Sequence, residues 1–314
     1  MRRKITRENC RGTWVPIMSE WDAQDRFDED MFARNAQTMV QAGVHTIYTT
    51  GTDGEFYAMV REEFRRMVAI AVESARGTDT TIAIGTNAAS TRGVLDQIAY
   101  CAEAGASAVM PAFPFWLEVG EREWLPFLKE CCHAAGPMGV LHYNTIRAKR
   151  VLSPADYAVC ARELPPNLLG SKAAAADFAE WCRLHFETPD LVHIPMETSA
   201  VPTLMGGGKA FISATLGAMN PKLAVSFHEL CTTGNWEAAM AFQMRLNRVE
   251  HQVCNQLFRR HGYRAGALSK ALTRIGGHLE THNTMRKPYQ AAPEHLLAEA
   301  RRLIERLMPE LMAH

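Results

Sequence analysis

No apolar run in this chain of 314 residues lasts the roughly 20 residues that cross a bilayer, so a membrane protein is not expected. The basic opening Met1–Asn9 leads into no apolar core of a secretory signal, and cytoplasm is the expected location. An excess of one charge is also missing. Lys plus Arg and Asp plus Glu number 34 each, with no block of five like charges, which speaks against nucleic acid or an anionic membrane as partner. Cysteine is present but unorganised: Cys10, Cys101, Cys131, Cys132, Cys160, Cys182, Cys231 and Cys254 show no C-x-x-C spacing, and free, mostly buried thiols are expected. His251 and Cys254 share a helix face, yet no second pair completes a tetrahedral set, so no metal is expected. These absences leave small-molecule chemistry as the reading to pursue.

The chain does carry a regular alternation of short β-rich runs and amphipathic helical segments up to about residue 220. The runs are Thr13–Met18, His45–Thr50, Thr81–Thr86, Ser107–Pro111, Met138–Tyr143, Leu168–Lys172, Leu191–Met196 and Ala210–Thr215. Their spacing of about 20 to 35 residues is that of one βα unit. Eight units predict an α/β fold, a (β/α)8 TIM barrel, over residues 1–221, with a helical C-terminal extension over 222–314. An open doubly wound sheet is the competitor, because a strand count does not prove closure. Gly43, Gly105 and Gly136 stand where left-handed helix caps belong. Phe32, Ala36, Met39 and Val40 make one apolar stripe on a helix near Asp30–Ala42, and Ser153-Pro154 is a cap followed by Pro at the first helical position.

In such a barrel the reactive side chains stand at the C-terminal ends of the strands. The sixth run ends in Lys172, either an amine in the barrel mouth or a solvated flank. The fifth ends His142-Tyr143-Asn144, where the phenol is either a neighbour of that amine or core packing. The second ends Thr50-Gly-Thr-Asp-Gly-Glu55, whose glycines permit a tight turn with backbone N–H groups lining a concavity fit for a carboxylate, or an ordinary βα turn.

Together, Gly51-Thr-Asp-Gly-Glu55, Tyr143-Asn144, Gly170-Ser-Lys172, Gly207-Gly-Lys-Ala-Phe-Ile-Ser213 and the tail segment Leu230–Ala239 resemble the dihydrodipicolinate synthase and N-acetylneuraminate lyase family of class I aldolases. The resemblance implies Lys172 as the Schiff-base lysine, Tyr143 as the proton shuttle, and Gly51, Thr52 and Asp53 as the turn that holds the substrate's carboxylate. It also implies a homotetramer. An amine desolvated in a barrel interior holds its proton less tightly, and a neutral amine is what attacks a 2-oxo carbon. The iminium is itself the electron sink, so no cofactor beyond the covalent lysine imine is expected.

The chain departs from the lysine-pathway synthases of that family in two places. Asp53 stands where they have a second threonine, and Pro111-Ala-Phe-Pro-Phe-Trp116 holds no tyrosine for their hydroxyl relay. Dihydrodipicolinate synthesis itself is therefore not expected. Phe113 and Trp116 look instead like the hydratase-aldolase branch, where aromatic residues line a pocket for an aryl aldehyde portion; loop packing is the alternative. Arg147 is a candidate for the distal part of the substrate and a candidate partner for Asp53; Lys149 and Arg150 read as solvated. Glu197 either orients a substrate hydroxyl or caps a helix, and Ser213, the last residue of the Gly207–Ser213 segment that carries the resemblance, is a further candidate for substrate binding. The expected activity is that of a lyase or aldolase acting on pyruvate or a pyruvate-derived 2-oxo acid, with an aldehyde as possible second substrate. A dehydratase of 2-keto-3-deoxy sugar acids, a non-catalytic 2-oxo acid binding protein and a metal-dependent barrel hydrolase are the rivals.

Overall fold

The computed structural model of the chain describes residues 3–173 and 177–313. Among the described residues eight strands form one sheet: β1 (Gly12–Pro16), β2 (Thr46–Thr49), β3 (Thr81–Thr86), β4 (Ala108–Pro111), β5 (Gly139–Asn144), β6 (Leu168–Ala173), β7 (Val192–Ile194) and β8 (Ala210–Ile212). The order is β7-β6-β5-β4-β3-β2-β1-β8, and the pairings are parallel. A parallel bridge between Met196 and Ile212 joins the two ends of that order. The fold is therefore the (β/α)8 barrel, and the open sheet is excluded.

One helix follows each of the first seven strands: α1 (Glu29–Gln41), α2 (Arg61–Ser74), α3 (Thr91–Ala104), α4 (Trp124–Ala135), α5 (Pro154–Glu163), α6 (Phe178–Glu187) and α7 (Ala200–Met205). After β8 come α8 (Thr215–Met219), α9 (Pro221–Thr232), α10 (Trp236–Val249), α11 (Gly266–Gly276) and α12 (Glu294–Leu307), with a π-helix over Glu250–Phe258 between α10 and α11.

All eight apolar runs overlap the strands they predict; β1 starts one residue before its run, β5 and β6 end one residue after theirs, and the other strands are shorter or equal. β7 stops at Ile194 and β8 at Ile212, whereas the apolar runs continue to Met196 and Thr215. Hydrophobicity reports burial, and burial here continues past the last ladder hydrogen bond into the loops: Ser213 and Thr215 stay buried while α8 has already begun. On α1 the buried stripe is Met31, Phe32, Asn35, Ala36 and Met39; Val40, expected in it, is half-buried because the helix turns its face one residue earlier. Burying Phe32 and Met39 contributes about 1.5–3 kcal/mol each. Gly43, Gly105 and Gly136 all have positive φ, and Gly105 is the left-handed cap expected, but Gly136, with ψ −119°, is not. Ser153 Oγ accepts from Asp156 N at 3.2 Å while Asp156 Oδ2 accepts from Ser153 N at 2.8 Å, a reciprocal cap that fixes where α5 starts. All eight cysteines are free thiols, Cys182 half-buried and the others buried.

The chain forms two compact units. One is Met1–Gly12 with Thr81–Ile212, and it holds β3 to β8 and α3 to α7. The other is Thr13–Thr80 with Ser213–His314, and it holds the rest of β1, β2, α1, α2 and the helices from α8 onward. No helix among the described residues is long and apolar enough to cross a membrane.

Candidate active site

In the first unit, β5 and β6 run parallel and place Tyr143 directly opposite Lys172. That register is not a plain continuation of the ladder. Val140 pairs with Leu168 but Leu141 pairs with Gly170, so one residue of β6 is extra and the strand bulges there. Gly170 makes the bulge possible: its φ is 141°, and a Cβ at this position would lie 2.2 Å from the Val192 carbonyl oxygen. Without the extra residue Lys172 would fall one place out of step and face the other side of the sheet.

The Lys172 Nζ sits 4.1 Å from the centroid of the Tyr143 ring. Lys172 is 7% exposed and Tyr143 8%. A cation over a ring face is attracted by its quadrupole, more strongly when desolvated. The amine and the phenol expected from separate strands are thus brought together and shielded from water.

The residues that alternate with this pair point the other way and form a buried polar chain. His142 Nδ1 lies 2.7 Å from the Tyr157 hydroxyl on α5, and that hydroxyl is also paired with Ser171. Ser171 Oγ is 2.8 Å from His193 Nδ1, and Thr188 Oγ1 is 2.8 Å from His193 Nε2. Trp181 of α6 donates to the His193 carbonyl at 2.9 Å. Burial pushes both histidines down to about 3, so the chain is neutral at physiological pH. These groups tie β5, β6 and β7 to α5 and α6 behind Tyr143 and Lys172. Sequence reading missed them, although the alternation rule offered a signal: His142 and Ser171 each immediately precede a candidate catalytic residue.

The other candidates of the first unit are dispersed. Phe113 packs its ring against Phe127 at 5.4 Å and His142 at 4.7 Å, in the layer behind the strands. The lining role expected of it is corrected accordingly, because its ring is spent on core packing. Trp116 is 76% exposed, and its carbonyl accepts from Lys149 Nζ at 2.5 Å. Arg147 is exposed on a short 3-10 turn, Ile146–Ala148, capped by Thr145. Arg150, read as solvated, is instead half-buried, paired with Glu121 at 2.7 Å and set over the Trp124 ring. Asn144 closes the loop after β5, exchanging hydrogen bonds with Leu152 N at 2.9 Å and Leu152 O at 3.0 Å. Glu197 is buried as the first residue of the 3-10 turn after β7.

The Gly51–Glu55 turn belongs to the second unit. It is flanked by two non-glycine residues in the left-handed region, Thr50 at φ 54° and Glu55 at φ 48°. Gly54 is obligatory, since a Cβ there would come within 2.5 Å of Thr50 N. Thr52 is buried and Asp53 half-buried. Asp53 Oδ1 accepts from Ser269 Oγ on α11 at 2.6 Å. The partner of Asp53 is therefore Ser269, where Arg147 was expected; a residue 216 positions away cannot be found by proximity in sequence. Arg259 adds a nearby positive charge: burial works against its ionised form, but Glu250 and, more weakly, Asp53 hold its pKa above the usual value.

Glu55, at the end of the same turn, is fully buried and ionically paired with the equally buried Lys270. Its carboxylate also accepts from Ser19 Oγ at 3.2 Å and Trp21 Nε1 at 3.0 Å, while Lys270 Nζ donates to the Thr284 carbonyl at 2.7 Å. Beside this pair, burial pushes the Glu20 carboxyl up to about 7 against the opposing pull of Lys270. Thr281 Oγ1 and His282 N both donate to Glu20 Oε2, at 3.0 and 3.1 Å, and Oε1 has no hydrogen-bond partner. Ser213 is buried in this unit, its N–H donating to the Trp14 carbonyl at 2.9 Å. Among the described residues no three His, Cys, Asp or Glu side chains are grouped to hold a metal.

Known proteins match this chain along its length. A 4-hydroxy-tetrahydrodipicolinate synthase of Phenylobacterium zucineum is 28% identical over 224 residues, 71% of this chain and 75% of its own. A trans-O-hydroxybenzylidenepyruvate hydratase-aldolase of Sphingobium xenophagum is 25% identical over 97% of this chain and 95% of its own. The crystal structure of YagE, a prophage protein of the dihydrodipicolinic acid synthase family from E. coli K12 in complex with pyruvate, superposes with a TM-score of 0.85. That comparison covers 95% of this chain and 98% of the other at 20% identity, which speaks to the fold. The sequence model of the dihydrodipicolinate synthetase family matches residues 9–307. The chain belongs to the dihydrodipicolinate synthetase family and is a carbon–carbon or carbon–oxygen lyase of that family.

Proposed function

We propose that the protein is a Schiff-base lyase of pyruvate or a pyruvate-derived 2-oxo acid, acting in the hydratase-aldolase manner to make or break a carbon–carbon bond. The observation that carries this reading is the Lys172–Tyr143 pair, an amine 4.1 Å from the centre of a phenol ring in a nearly water-free place. Lys172 Nζ attacks the 2-oxo carbon, the carbonyl π pair moves onto oxygen, and the Tyr143 hydroxyl supplies the proton. The Tyr143 phenolate takes a proton from the nitrogen and returns it to the hydroxyl, which leaves as water to give the iminium, and the iminium draws electrons from the adjacent carbon. That carbon then loses a proton and adds to an aldehyde, or in the reverse sense releases one. The chemistry calls for no metal and no organic cofactor. By family likeness the Gly51–Asp53 turn receives the substrate's carboxylate on its amides, which selects the carbonyl that reacts. A homotetramer is the proposed assembly.

Two observations favour the hydratase-aldolase branch over the synthase branch. The Sphingobium relative aligns with nearly the whole chain, whereas the Phenylobacterium synthase aligns with 71% of it. The segment after β4 offers exposed Trp116, and no tyrosine, to the aldehyde partner.

Incubation with pyruvate and borohydride, followed by intact mass measurement, tests the reading. A reduced adduct on the wild type and none on Lys172→Ala is expected. No adduct on the wild type, or an equal adduct on the variant, would sink the assignment.

A further inference from the structure

Three residues on one face of α11 meet the Gly51–Glu55 turn. Gly266, Ser269 and Lys270 have the i, i+3, i+4 spacing that stacks side chains on a helix. Lys270 Nζ is paired with the Glu55 carboxylate and Ser269 Oγ donates to Asp53 Oδ1 at 2.6 Å. Gly266 completes the contact, since a Cβ there would stand 3.1 Å from Glu55 Cγ and 3.5 Å from the Asp53 carbonyl oxygen. The helix thus holds alternate residues of the turn by their side chains and is packed against the turn's backbone.

The turn needs such a hold. Thr50 and Glu55 both adopt a left-handed backbone that L side chains rarely take, each at a cost of about 1–3 kcal/mol. A strained conformation persists only where its surroundings over-determine it. Glu55 has three donors on its carboxylate, from Ser19, Trp21 and Lys270, and a buried ion pair of this kind is worth most when its remaining lone pairs are satisfied. Asp53 is a second requirement. Its carboxylate would repel a bound carboxylate unless held elsewhere, and the Ser269 hydroxyl holds one of its oxygens toward α11.

We propose that α11 belongs to the substrate-binding machinery: Lys270 through Glu55, and Ser269 through Asp53, are positioning residues that keep the turn in the form that receives the 2-oxo acid's carboxylate. The proposal rests on the reading of the turn given above. It accounts for a buried charged pair that contributes little as a stabilising device, since an apolar pair of similar volume would serve a core equally well.

The test measures the pyruvate concentration that half-saturates borohydride trapping in the wild type, Glu55→Gln/Lys270→Met, Ser269→Ala and Ser269→Thr. Removing both charges keeps a lone buried ion from unfolding the protein. Loss of a hydrogen bond to a charged group should raise half-saturation about tenfold or more in the double variant and in Ser269→Ala, with full trapping at high pyruvate. Ser269→Thr, which keeps the hydroxyl, should restore the wild-type value. A purely structural role would lower the melting temperature and leave half-saturation in place. Folded variants that trap with the wild-type value therefore overturn the proposal. If the double variant does not fold, the Ser269→Ala and Ser269→Thr pair decides by the same readings. A wild type that yields no adduct refutes the functional reading itself, and this proposal with it; a trapped wild type with unmoved variants refutes this proposal alone.

Discussion

Replacing Glu20 by Gln should change how the protein responds to acid. In the folded chain burial pushes the Glu20 carboxyl up to about 7 from an ordinary 4.5, with Lys270 opposing. A raised carboxyl favours the folded state when protonated, so its contribution is fully present below pH 4.5 and is lost as pH rises through 7. Acidification from about pH 8 to about pH 5 then gains about 2–3 kcal/mol from this group. His142 and His193 act in the opposite sense. Burial holds both down to about 3 from an ordinary 6.5, so their contribution is present above pH 6.5 and is lost as pH falls toward 3. By about pH 5 each has lost about 2 kcal/mol. The wild type therefore loses about 1–2 kcal/mol net from the three groups, and Glu20→Gln about 4 kcal/mol. Urea unfolding followed by tryptophan fluorescence at pH 8, 6.5 and 5 reads the difference between variant and wild type, in which titrations common to both cancel. The stability gap should swing by about 2–3 kcal/mol, favouring the variant at the alkaline end. A gap independent of pH would refute the account of a buried, protonated carboxyl.

Gly170→Ala should cost about 2–3 kcal/mol or more and lower the melting temperature, because its Cβ has no space beside Val192; an unchanged melt would remove the bulge from the argument. Tyr157→Phe should cost about 1–3 kcal/mol by depriving His142 Nδ1 and Ser171 of a buried partner, and a double-mutant cycle with Ser171→Ala should show coupling. Additive losses would mean the buried chain is not a unit. Tyr143→Phe should slow turnover about a hundredfold or more while changing KM far less, and preserved turnover would make the phenol a packing residue.

The sequence disclosed the parts whose signal is local. Each strand announced itself as a short apolar run, and Lys172 and Tyr143 stood at the ends of two of them. Chain ends of strands shifted because Ile17, Met18 and Ser213 are buried without lying in the named strands, and burial is what an apolar run reports. What stayed hidden depends on register or on distant contacts. The bulge at Gly170 requires knowing that Leu141, not Val140, is its neighbour. Ser269 and Lys270 lie 216 and 215 residues from Asp53 and Glu55, in the C-terminal extension, whose pattern showed only that it is helical. Phe113 misled for a related reason: an aromatic beside a strand end fits a binding pocket and a packed layer equally well until its direction is known.

The central claim is that Lys172 carries the substrate as an imine. Trapping with isotope-labelled pyruvate and borohydride, then digestion and fragment sequencing of the labelled peptide, tests it most directly. The account predicts the label on Lys172; label on any other lysine, or none at all, would contradict it.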